Sequence, residues 1–76
     1  MKKNNYYAAY SINNNTYGNF PETNLKRAIK DLRQIVSESL PVYSTAHAEI
    51  YKNGAEAPLW TGYWFSDGKF NGQRLY

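Results

Sequence analysis

Seventy-six residues, with nine lysines and arginines against six acids and a net charge of +3, make one domain with room for a single core. The absence of cysteine excludes disulfides, thiolate zinc sites and cysteine nucleophiles, and the lone histidine, His47, leaves an imidazole metal site without a second ring nitrogen. No apolar run approaches the ~20 residues of a membrane span, and the basic start Met1-Lys2-Lys3 lacks the apolar stretch of a secretory signal.

The expectation is one small domain over residues 1–76, cytoplasmic in a bacterial host, with no cofactor and no membrane contact. Residues 1–4 and 72–76 are expected to be loosely held. Thirteen Phe, Trp and Tyr residues supply the core that so short a chain otherwise lacks, since each buries roughly 150–250 Å². The nine asparagines, three of them consecutive at Asn13–Asn15, are what a low-GC genome favours.

In chain order, Tyr6 to Ile12 suits a strand of aromatic and β-branched residues, with Ala8, Tyr10 and Ile12 on one face. After the asparagine turn, Thr16 to Phe20 returns as a short second strand, weakened by Gly18. Leu25, Ile29, Leu32, Val36 and Leu40 recur at helical spacing, with Ala28 and Ile35 beside them, and form one apolar stripe. Pro21, Glu22 and Thr23 provide a start for this helix and Pro41 its stop. Strand character resumes at Tyr43, and Ala46, Ala48 and Ile50 alternate with Thr45, His47, Glu49 and Tyr51.

Lys52-Asn53-Gly54 signals a turn. Leu59 to Phe65 forms a further strand, with Trp60, Gly62 and Trp64 on one side and Tyr63 and Phe65 on the other. Ser66-Asp67-Gly68 turns the chain into a short edge strand at Lys69-Phe70. The order β-(β)-α-β-β predicts an α+β fold: a single antiparallel sheet of three to four strands with one amphipathic helix on one face.

One helix covers one face of a sheet. With Ala8, Tyr10, Ile12, Ala46, Ala48, Ile50, Trp60 and Trp64 turned to the helix, the other face shows Tyr7, Thr45, His47, Tyr51, Tyr63 and Phe65. Tyr7, Tyr51, Tyr63 and Phe65 are therefore a candidate binding or homodimer surface, because large uncovered aromatic patches are rare on monomers. The alternative is that these tyrosines simply present hydroxyls to water. Lys26, Arg27, Lys30 and Arg33 form a second candidate surface, a basic helix face suited to phosphates or an acidic protein. An ordinary solvated helix, with Arg27 paired to Asp31, accounts for the same residues.

Chemistry is sparse. His47 and Glu49 share a strand face without a nucleophile to serve, and the six acids are scattered with no carboxylate pair among them. The five glycines form no phosphate-cradling loop, so the chain is read as non-enzymatic.

In its strand Asn5-Tyr6-Tyr7-Ala8-Ala9-Tyr10-Ser11, its helical stretch Thr23 to Arg33 and its closing Trp64-Phe65-Ser66-Asp67-Gly68-Lys69, the chain resembles small accessory proteins of phages and mobile elements from low-GC bacteria. Among such proteins are anti-CRISPR and anti-restriction inhibitors. The resemblance implies a binder, and an inhibitor, of a host protein or nucleoprotein complex. The alternatives are direct nucleic-acid binding, by the helix bases with stacking on Tyr7, Tyr51 or Tyr63, and a structural homodimer.

Overall fold

A computed structural model describes residues 5–75; the expected looseness of residues 1–4 lies outside the described residues. The elements are β1 (Tyr6–Ile12), β2 (Thr16–Glu22), α1 (Leu25–Ser39), β3 (Ala46–Lys52), β4 (Trp60–Trp64) and β5 (Phe70–Arg74). They form an α+β fold with one helix and one antiparallel sheet in the order β2-β1-β3-β4-β5. Among the described residues, no helix is long and apolar enough to cross a membrane.

The sheet has five strands, more than the three to four expected. Residues 72–74, expected to be loose, belong to β5 and pair with β4, Gly72 opposite Gly62 and Arg74 opposite Trp60. The pattern there is faint because β5 is an edge strand whose residues from Asn71 onward are exposed. Without a buried face, a strand leaves no alternation to read.

Two boundaries also move. Pro21 and Glu22 do not start the helix; they extend β2, paired with Tyr7 and Tyr6. An edge strand tolerates a proline, whose missing N–H costs no ladder bond on the open side. The cap is instead Asn24, in extended conformation, whose Oδ1 accepts the Arg27 N–H at 2.7 Å. After the helix, Tyr43 does not begin a strand. It sits at φ 64°, in a turn closed by the Ser44 N–H donating to the Pro41 carbonyl at 3.2 Å, and β3 starts at Ala46.

The asparagine turn has a conformational cause. Asn13 and Asn14 adopt φ 54° and 58°, and the Asn15 N–H donates to the Ile12 carbonyl. A tight reversal of this hand needs successive left-handed residues, which asparagine tolerates best after glycine.

The core lies between α1 and the sheet. Ala28, Leu32 and Val36 pack on Ala8, Ile12, Ala46, Ala48 and Ile50, all buried. The alanines let the helix approach β1 and β3, and it also lies over β2. It does not extend over β4 and β5, where aromatic rings fill the space instead. Trp60 and Trp64 are buried, with Phe70 against both at ring-centre distances of 6.1 and 4.7 Å.

Gly62 and Gly72 leave the floor beneath Trp60 flat. A Cβ on Gly62 would stand 2.5 Å from Trp60 Cη2, and one on Gly72 would stand 2.9 Å from Cζ2. Gly18 does the same for Tyr10, whose ring lies where a Cβ would be. The glycine that weakened the second strand as a prediction is the place where a ring from β1 crosses it.

Candidate functional site

The sheet alternates so that the side away from α1 carries Tyr7 from β1, Tyr51 from β3 and Tyr63 from β4, with Phe65 continuing that side just after β4. Cross-strand register sorts this outer face into rows. Tyr7 lies opposite Tyr51, and their rings stack at 5.0 Å, 8° from parallel. Ser11, His47 and Tyr63 form a second row, with the His47 ring stacked on Tyr63 at 4.6 Å. Between the two rows lie Ala9, Glu49 and Thr61.

Glu49 links the rows. Tyr51 donates its hydroxyl to Glu49 Oε2 at 3.0 Å, and His47 Nδ1 lies 3.9 Å from Glu49 Oε1. The hydrogen bond to Glu49, followed by burial, raises the Tyr51 phenol above its ordinary pKa. Glu49 is the sole carboxylate among the strand residues of this face, which includes no lysine or arginine. Tyr63 is 47% and Phe65 48% exposed.

Five strands about 4.8 Å apart and five to seven residues long give this face roughly 400 Å², half of what a standard interface takes from each partner. The end loops extend it. Val42 and Tyr43 are 80% and 85% exposed, and they flank one groove together with Phe65. Asn13 ties this loop to the β1–β2 turn: its Nδ2 donates to Ser44 Oγ at 2.9 Å, and its Oδ1 accepts the Thr45 N–H at 3.2 Å. Nothing in the residue pattern marks this loop as a contact surface, because a strand from Tyr43 would pair it.

The basic helix residues separate into different environments. Lys26 and Lys30 line two open grooves along the helix. Arg27 pairs with Asp31 at 3.8 Å, as its spacing suggested. Arg33 lines one groove together with Lys26 and Lys30, while its guanidinium lies 4.6 Å over the Phe70 ring and roofs the aromatic core beyond the helix. The helix cations and the outer-face rings thus lie on opposite sides of the sheet.

One pair escaped the sequence reading altogether. The acids are not all scattered: Glu22, on the helix-facing side of β2, meets Asp31 of α1. Glu22 is only 7% exposed, and its Oε2 is buried without a hydrogen-bond partner among the described residues. Burial, then a hydrogen bond to Asp31 and the charge of that residue, push the Glu22 carboxyl up to about 7, with Arg27 opposing. The two acids stand nine positions apart in sequence, so only the turn from β2 into α1 reveals their contact.

Among the described residues, no three His, Asp or Glu side chains gather as metal ligands. Compared with known protein families, curated proteins and solved structures, the chain matches none.

Proposed function

We propose that this chain is a non-enzymatic interaction protein of the phage or mobile-element kind, which docks on a host protein or nucleoprotein complex and blocks it. The observation that carries this is the division of the aromatics. Tyr6, Tyr10, Phe20, Trp60, Trp64 and Phe70 pack around the core, while Tyr7, Tyr51, Tyr63 and Phe65 form an open, nearly uncharged face with nothing over it among the described residues. Rings that reach solvent with one carboxylate, Glu49, among them suit the desolvated centre of a protein interface. The exposed Val42–Tyr43 loop enlarges the contact.

Direct nucleic-acid binding receives less support. Stacking on Tyr7, Tyr51 or Tyr63 and pairing with Lys26 or Lys30 would require one strand to pass around the sheet edge. A symmetric homodimer would use the same outer face, and concentration-dependent thermal stability would reveal it.

The test is capture from host lysate on the tagged protein, with and without nuclease, followed by reconstitution with the purified captured protein. We expect a defined protein that survives nuclease. Tyr63→Glu should weaken its binding at least tenfold, whereas Lys26→Glu with Lys30→Glu should leave binding within about threefold. Capture abolished by nuclease, or binding insensitive to Tyr63→Glu, would refute docking by the sheet face.

A further inference from the structure

Glu22 ends β2 with its side chain under the helix, and among the described residues it is the one charged side chain that is buried. The groups facing it are Asp31 and Arg27 from α1 and Tyr6 from β1, with Lys52 of β3 one strand beyond Tyr6. Arg27 already pairs with Asp31, and its side chain is 67% exposed, so it screens the junction from outside. The Glu22 carboxyl therefore has Asp31 for a neighbour, and its Oε2 is buried without a hydrogen-bond partner among the described residues.

Two touching carboxylates, one of them buried, are not both ionised without a large penalty in desolvation and repulsion. One proton between them removes the repulsion and turns the orphan oxygen into a hydrogen-bonding group. We propose that Glu22 holds a proton against Asp31 at the β2–α1 junction, forming a latch that holds the first turns of the helix on the sheet edge and opens when the proton leaves. Lys26 and Lys30 ride on the same turns, so the latch also governs how the basic groove is presented.

The direction with pH follows from which state holds the proton more tightly. An ordinary glutamate titrates at 4.5, and Glu22 in the folded chain at about 7. Its stabilisation is thus complete below pH 4.5 and is lost as the pH rises through 7. The full gap amounts to about 300-fold in the folding equilibrium, of which about 70-fold falls between pH 5 and pH 8.

Carbon-detected NMR of the wild-type carboxyls tests the latch directly. We expect Glu22 to titrate near 7. An ordinary midpoint for Glu22 would overturn the latch. In Asp31→Asn the Glu22 midpoint should fall, because the amide donates to the carboxylate; an unchanged midpoint would assign the effect to burial alone and sink the proposal. Urea unfolding of Glu22→Gln adds a thermodynamic arm. The variant should lack the roughly 70-fold loss that wild type shows between pH 5 and pH 8. Equal losses in both proteins would overturn the latch.

Discussion

Gly62→Ala is the sharpest test of the packing, because strand propensity and structure predict opposite signs. In a strand interior, alanine ordinarily stabilises by about 0.4–1 kcal/mol, through a less flexible unfolded chain. Here the new methyl would stand 2.5 Å from Trp60 Cη2, 2.9 Å from Cζ3 and 3.2 Å from Phe70 Cε1. The indole cannot swing outward, since it is buried between the two glycine-bearing strands and Phe70. Overpacking of a buried ring costs about 1–3 kcal/mol. After the entropic gain, the net loss is about 1–2 kcal/mol, against a total stability of about 4–11 kcal/mol for a chain of this length. That corresponds to a fall in melting temperature of about 5–15 °C. Near-ultraviolet circular dichroism during thermal unfolding measures it and also registers any change around Trp60. A variant melting at or above wild type would refute a clamped indole.

Four further substitutions separate the roles of individual residues. Arg33→Ala should cost about 0.5–1 kcal/mol by urea unfolding, through the lost stack on Phe70, whereas Lys30→Ala should be neutral within about 0.3 kcal/mol. Asn24→Ala removes the helix cap and should cost about 1 kcal/mol in the same assay. Tyr43→Gly should stabilise the protein by about 0.5–1 kcal/mol, because it relieves a left-handed tyrosine that burial does not reward. A melting temperature below wild type would contradict that account.

What could be read from the sequence was periodic and buried. The helix stripe from Leu25 to Leu40 and the alternation through Ala46, Ala48 and Ile50 repeat at the spacing of their elements, and each faces the core. Trp60 and Trp64 fall on the helix side by the same alternation. The failures lie where position depends on a neighbour distant in sequence. β5 owes its existence to β4 rather than to its own residues. Pro21 looks like a helix start until Tyr7 is placed beside it. Tyr43 looks like a strand residue until its φ is known. At the surface, Arg33 reaches the ring of Phe70, 37 positions away, and Glu22 meets Asp31 only through the turn between β2 and α1.

Strand β1 is the first of the described strands in the chain yet lies inside the sheet, between β2 and β3. One of its edges is satisfied through a short local turn, on the microsecond scale of hairpin formation. The other must wait for residues 46–52, pairing Tyr6 with Lys52 across most of the chain. Loop-closure entropy opposes that step until the helix has shortened the gap. Folding should thus be limited by the arrival of β3 at β1, with the β1–β2 hairpin and α1 forming the template it joins. Substitutions in that template should slow folding, whereas those confined to β4 and β5 should mainly hasten unfolding.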